Sequence, residues 1–364
     1  HLRASMIYWR IHREVKAGVI GLLEKSRFST RFFSLPSGIP DFAVQPPPSS
    51  RLHAERIDLT SGTFTFLNDA ETLPGGRIER LAAIERKPLL WRFHYGYHDY
   101  LQDLLESGAA TPRQAIDFLD EWMRDHPLGA RGARVWAWHP YVLSLRIDSW
   151  IRIFPLLEPS RPYDDEGALN RLAASIEQMT RVLLRNLERG TMANHFLKNI
   201  KALIQAGLFL RGRVGARALK KGMKLLEREL KEQVLLDGMH FERTPMYHTV
   251  MTSDMLDLVE GLEAAGLQAP DFLLDAAARM TGFLGGILHP DGGIPLFNDS
   301  VIEFGIPPAE VVARGGLLTR TGERGEIRPS SSGGPPDIKS VSGLLKHRTA
   351  DLFVIFDGGM VGPD

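Results

Sequence analysis

The stretch Asp237–Thr249 reads DGMHFERTPMYHT and sets His240, Glu242, Arg243, Tyr247 and His248 in one turn-like segment between two apolar-periodic runs. Connectors between helices usually turn on Gly, Pro, Asn and Ser, so this density of titratable groups asks for a chemical reason. Upstream, MANHFLKNIKALIQAGLF places Asn194 and His195 just ahead of a helix striped by Leu197, Ile200, Ile204 and Leu208. A carboxamide and an imidazole beside the free N–H groups of a helix start suit an anion. Asn194 by itself equally suits an N-cap, and His195 a satisfied structural histidine. A third cluster, RVWAWHPYVLSLRIDSW, carries Trp136, Trp138, His139 and Tyr141 ahead of a helix bearing Arg146 and Trp150. Indole faces and a guanidinium fit sugar rings that carry carboxylates, and the same tryptophans fit a core. LLWRFHYGYHDYL, with Trp91, His94, Tyr95 and His98, has the same two readings. Asn298 and Asp299 in GGIPLFNDS either reach a ligand or cap a turn.

One reaction needs several of these groups together. Cleaving a uronic-acid polymer by β-elimination removes the proton on the carbon beside the carboxylate and expels the glycosidic oxygen. That proton is hardly acidic while the carboxylate is ionised, so Asn or protonated His must neutralise it. A base then takes the proton and an acid protonates the leaving oxygen. Tyr serves as both when the two lie on one face; His takes the base role when they lie on opposite faces. Asn194, His195 and Tyr247 are the cast for it, and Tyr247 has its own core reading at a helix start.

Helices must position these groups. Thr111-Pro112-Arg113-Gln114 marks a helix start with a capping box and Pro at the first position. Leu219, Met223, Leu226, Leu230 and Val234 form an apolar stripe at the helical period, as do Met251, Met255, Leu258 and Leu262. The pattern predicts helices over about 97–107, 111–125, 140–157, 165–189, 194–211, 215–236, 248–265 and 270–288, joined by short links that imply antiparallel neighbours. RIDLTSGTFTFLN reads as a hairpin around Ser61-Gly62, after the Pro/Ser linker LPSGIPDFAVQPPPSS. From about residue 290 the texture turns to loops, with two strands expected around Thr349-Ala350-Asp351.

The 364 residues exceed a typical single core and suggest two domains or one large toroidal one. Lys plus Arg equals Asp plus Glu at 44 each, so total charge exerts no pull toward nucleic acid or anionic lipid. A polyanion would need a local basic cleft. The absence of cysteine excludes disulfides and thiolate metal sites. No run is apolar enough to span a bilayer.

MANHFLKNIKALIQAGLF, LLDGMHFERTPMYHTVMTSDMLDL and GGIPLFNDS together resemble the heparinase II/III-like polysaccharide lyases, relatives of the alginate and heparan-sulfate lyases. LLWRFHYGYHDYL and the Arg146–Trp150 helix resemble the family's N-terminal part. The resemblance implies an incomplete (α/α) toroid followed by antiparallel β-sheets. That divides the chain into an N-terminal helix and Pro-rich linker (1–55), a toroid catalytic domain (56–288) and the start of the β-sheet domain (289–364). It implies catalytic roles for Asn194, His195 and Tyr247, with Arg146, His139, Trp138, His94, Glu242, His248, Asn298 and Asp299 around the substrate. The family's further catalytic histidine, and the structural zinc of some relatives, would fall past residue 364; no cofactor is expected within this chain. The expected partner is an acidic polysaccharide, not nucleic acid or membrane, met in a bacterial periplasm or outside the cell. A toroid glycoside hydrolase would need a carboxylate pair from Glu242, Asp148 and Asp299. A non-catalytic acidic-glycan-binding or exopolysaccharide-associated protein would keep the fold without the chemistry.

Overall fold

The computed structural model describes residues 57–130, 132–157, 166–190, 193–301, 305–321, 342–348 and 353–358. The expected N-terminal helix and linker lie outside these residues. The chain divides into two compact units, residues 1–223 and 224–364.

The described residues of the first unit open with three antiparallel strands in the order β1 (Ile57–Asp58), β2 (Thr63–Phe66), β3 (Asp69–Thr72). The expected hairpin is thus extended by a third strand. Leu67 and Asn68, both at positive φ (55° and 61°), make the tight link that a two-residue hairpin turn requires. Alternation buries Phe64 and Phe66, and β2 packs on the helix Leu89–Tyr97. Among the described residues seven helices lie wholly within this unit: α1 (Arg77–Arg86), α2 (Leu89–Tyr97), α3 (Tyr100–Glu106), α4 (Pro112–Asp125), α5 (Pro140–Leu157), α6 (Glu166–Arg185) and α7 (Ala193–Phe209). The capping box of α4 is formed: Thr111 Oγ1 accepts from the Gln114 N–H at 3.3 Å, and Gln114 Oε1 accepts from the Thr111 N–H at 2.9 Å.

Helix α5 lies at the centre of the unit, packed by α2, α3, α4, α6 and α7. A helix covered on so many sides is apolar nearly all round, and its few charges must find partners inside. Arg146 is fully buried. Its guanidinium donates to the Ala137 carbonyl at 2.6 Å and the Gly96 carbonyl at 3.2 Å, and lies 4.1 Å over the Trp122 ring. Asp148 accepts from Arg152 at 3.0 Å and lies 3.2 Å from Lys201 of α7. Helix α8 (Gly212–Gln233) folds back on α7. The approach is so close that a Cβ on Gly207 would stand 2.5 Å from the Leu219 nitrogen, and one on Gly222 would stand 2.6 Å from Ile204.

In the second unit α9 (Pro245–Ala264), α10 (Asp271–Ile287) and α11 (Pro308–Thr321) pack against one another. Helix α11 was not among the expected helices. Its Arg314 donates to Asp257 and Glu260 of α9, each at 2.8 Å. The two expected late strands are present, β4 (Leu344–Arg348) antiparallel to β5 (Phe353–Asp357).

Candidate active site

Asn194 and His195 occupy the first turn of α7, directly after Ala193, which sits at φ 57°. A non-glycine residue in the left-handed region costs about 1–2 kcal/mol, and such strain collects where surroundings over-determine a local geometry. Those surroundings are visible. The His195 ring stacks on Tyr141 at 4.0 Å between centroids and 22° between planes. Its Nδ1 points to Glu188 Oε1 at 3.5 Å, a long contact, while 38% of the side chain stays exposed.

Glu188 is buried and held from behind by Asn199. Asn199 Nδ2 donates to Glu188 Oε2 and Ser144 Oγ, both at 3.0 Å, and Asn199 Oδ1 accepts from the Glu188 N–H at 2.8 Å. Burial pushes the Glu188 carboxyl up. The hydrogen bond with His195, the charges of His139 and His195 and the Asn199 bond outweigh it, and the net shift is downward. Glu188 therefore stays ionised, with a lone pair aimed at His195 Nδ1. In the neutral ring, an Nδ1–H directed at Glu188 places the lone pair on Nε2.

A shelf of rings continues from this point. Tyr97 meets Tyr141 edge-on at 5.9 Å and His94 at 5.1 Å; His139 lies 5.0 Å from Phe93, and its Nδ1 accepts from the Tyr141 N–H at 3.3 Å. The structure thus brings Asn194, His195, His139 and His94 into one neighbourhood, bridged by Tyr97 and Tyr141. Trp138 and Arg146 are elsewhere. Trp138 is buried and donates from Nε1 to the His126 carbonyl at 2.8 Å. Arg146 spends its donors on the interior, so neither side chain faces a ligand from the surface.

Tyr247 lies in the second unit, in the first turn of α9 after Thr244 as N-cap and Pro245. Arg243 and Asn298 both take positive φ (56° and 53°), and Asn298 Nδ2 donates to the Arg243 carbonyl at 2.8 Å. Ser300 Oγ accepts from the Met246 N–H at 3.1 Å. Two strained residues tied together therefore fix the backbone that presents Tyr247. The phenol is partly buried. Burial first, then the negative charges of Asp299 and Glu242, push its pKa up, so it keeps its proton at neutral pH.

The histidines of this segment face the other way. His248 is buried; its Nδ1 accepts from the His240 N–H at 3.1 Å and its Nε2 lies 3.0 Å from the Met280 carbonyl, which fixes the proton on Nε2. His240 Nε2 lies 3.1 Å from Gln233 Oε1. Burial lowers His248 to about 4 and His240 to about 3, so both are neutral pins. Glu242, partly exposed, and Asn298 and Asp299, exposed, stay at the surface near Tyr247. Asp148 is committed to Arg152 and Lys201, which removes it from a carboxylate pair.

Glu188, Asn199 and Ser144 were not singled out in the sequence. Glu188 reads as one more charge near the end of the expected helix over 165–189; the helix ends at Arg185, and only the fold brings Asn199 of α7 and Ser144 of α5 to Glu188. Among the described residues no group of three metal-ligating side chains occurs, and no helix is long and apolar enough to cross a membrane.

Comparisons with known proteins bear on this arrangement. The heparin-sulfate lyase of Pedobacter heparinus is 27% identical over 194 residues, covering 52% of this chain and 29% of that enzyme. FtsZ-localized protein C of Caulobacter vibrioides is 25% identical over 319 residues, covering 83% of this chain and 50% of that protein. The chain thus spans half or less of the length of these curated relatives. A solved heparinase III superposes with a TM-score of 0.63 at 18% identity, over 84% of this chain and 53% of that one. A mutant heparan sulfate lyase HepC of Pedobacter heparinus gives 0.59 at 18% identity, over 93% and 56%. The fold is theirs, as expected: mainly helical, of the (α/α) toroid class, with strands following the helices. The family described as Heparinase II/III N-terminus matches residues 110–304, more than half of the chain. The chain belongs to the heparinase II/III family.

Proposed function

We propose that this chain carries the helical part of a polysaccharide lyase that cleaves a uronic-acid-containing polymer by β-elimination. The observation that carries the reading is the built setting of His195: stacked on Tyr141, backed by buried Glu188, and beside Asn194 at a helix start. Asn194 and the N–H groups of the first turn of α7 would hold the substrate carboxylate and stabilise charge as the proton leaves. His195, with Nδ1–H turned to Glu188, would offer Nε2 as the base. Tyr247, which keeps its proton, would be the acid for the leaving glycosidic oxygen. His94 and His139 would contact substrate from the first unit, and Glu242, Asn298 and Asp299 from the second. Trp138, Arg146 and His248 would act only by supporting them. The similar proteins titled heparin-sulfate lyase favour a glycosaminoglycan over alginate as substrate.

End-group analysis tests this. The protein is incubated with heparan sulfate, hyaluronan, chondroitin and alginate. Elimination leaves a conjugated double bond on the new end, whereas hydrolysis leaves a saturated one. Saturated products would replace this reading with a hydrolase.

One observation favours a second reading. FtsZ-localized protein C resembles a larger share of this chain than the lyase from Pedobacter does, and its name states no enzymatic activity. A protein that keeps the fold and binds an acidic glycan without cleaving it would show saturable binding and no product.

A further inference from the structure

Total charge is balanced, yet the stretch Arg211–Lys224 holds six cations and no carboxylate. Helix α8 sorts them. Arg213, Arg217 and Lys220 recur at steps of four and three, which places them on one face, and all three are exposed, as is Arg211 just before the helix. Successive charges rise along the axis, so the three span about 10 Å. No carboxylate among the described residues pairs with any of them. Further along the same helix the pattern changes: Arg228 meets Glu229 at 2.6 Å and Lys231 meets Glu227 at 2.8 Å. Arg213, Arg217 and Lys220, which have no carboxylate partner among the described residues, are therefore confined to the first half of α8.

The stripe is also held in place. The Gly207–Leu219 and Gly222–Ile204 approaches lock α8 against α7, and Lys221 Nζ donates to the Leu184 carbonyl at 2.7 Å. Since α8 runs antiparallel to α7, the stripe climbs from the end of α7 toward the end that carries Asn194 and His195.

We propose that the outer face of α8 is an exosite for the acidic polysaccharide, gripping the polymer away from the reacting bond through Arg213, Arg217 and Lys220. This rests on the polysaccharide reading of the same chain. Aligned cations without carboxylate partners complement an extended polyanion, and they hold a long chain better than a short one because only a long chain reaches both the stripe and the site. Such contacts weaken with salt.

Direct binding to immobilised heparan sulfate tests the exosite without needing turnover. Compared are the unaltered protein, Arg217→Glu/Lys220→Glu and the milder Arg217→Gln/Lys220→Gln, each checked for unchanged thermal unfolding. The long chain should bind the charge-reversed protein about tenfold more weakly, with a smaller loss for the neutral pair and no change for a tetrasaccharide. Equal binding by all three proteins would overturn the exosite and leave the lyase reading standing. No binding of the polysaccharide by the unaltered protein would also overturn it, and end-group analysis would then judge the lyase reading separately. Equal affinity for DNA, polyglutamate or anionic vesicles would show a general polyanion surface and overturn the assignment to polysaccharide.

Discussion

The two regions that carry the candidate chemistry differ in what holds them. Around His195, Glu188 and Asn199 lie seven and four residues away, and Tyr141 and Ser144 reach in from α5. Around Tyr247, near and distant partners are mixed in the same way. Neighbouring His240 and His248 pin the interior, and the Arg243–Asn298 tie fixes the strained backbone. The first region backs its candidate residue with a buried charge, the second with buried neutral imidazoles. In both, residues that look alike in the sequence are divided by burial into interior supports and accessible candidates.

The sharpest way to break the comparison is Arg146→Ala. If Arg146 serves the core, two buried carbonyls lose their donor and a cavity opens, lowering stability by about 3–5 kcal/mol in urea unfolding. A stable variant with weakened glycan binding would instead place Arg146 at the ligand.

Glu188→Gln sharpens the first region. Turnover should fall about tenfold to a hundredfold, less than the 10²–10⁴ typical of losing a proton-transfer group itself. The loss should appear in kcat more than in KM. Because the folded pKa of Glu188 is depressed, its contribution to stability is present above the unfolded value and lost as pH falls through the folded one. The Gln variant should lose that acid dependence. Unchanged kcat would remove Glu188 from the account.

His248→Gln tests the second region by pH. The folded value of about 4 lies below the ordinary 6.5, so between them the unfolded chain binds more protons and stability falls as pH falls. The slope is at most about 1.4 kcal/mol per pH unit for one histidine. Urea unfolding at several pH values in that window should show a shallower slope for the variant; an identical slope would mean that His248 is accessible and titrates freely. The smallest effect is expected at Asn298. Asn298→Gly keeps the positive φ and loses the bond to Arg243, costing about 1 kcal/mol, whereas Asn298→Ala adds backbone strain of about 1–2 kcal/mol. Equal unfolding midpoints for the two variants would show that the strain does not matter.

Helices α3 to α10 were legible because each has an apolar stripe, a cap, or both, and the links between them are short. Helices α1 and α2 were not. LLWRFHYGYHDYL buries Trp91, Tyr95, Gly96 and Tyr97 on several sides, so no single stripe stands out. Helix α11 was hidden by Gly315-Gly316, poor helix formers; Gly315 is there because a Cβ would stand 2.4 Å from Thr281. The third strand, DAET, lacks the β-branched and aromatic residues that mark strands, apart from Thr72. For the site, residue type and order pointed to Asn194, His195 and Tyr247. The inward turn of Arg146, Trp138 and His248 depends on packing that a linear pattern does not record, and Glu188 acquires its setting only through three-dimensional neighbours.

The central claim is that Tyr247 supplies the proton for an elimination, and one assay addresses it most directly. Ultraviolet absorbance of the unsaturated uronate is followed on heparan sulfate for the protein and its Tyr247→Phe variant, with polysaccharide binding measured in parallel. The account predicts a rise for the unaltered protein and a fall of about 10²–10⁴ in rate for the variant, with binding and thermal unfolding preserved. A variant that turns over normally would contradict it.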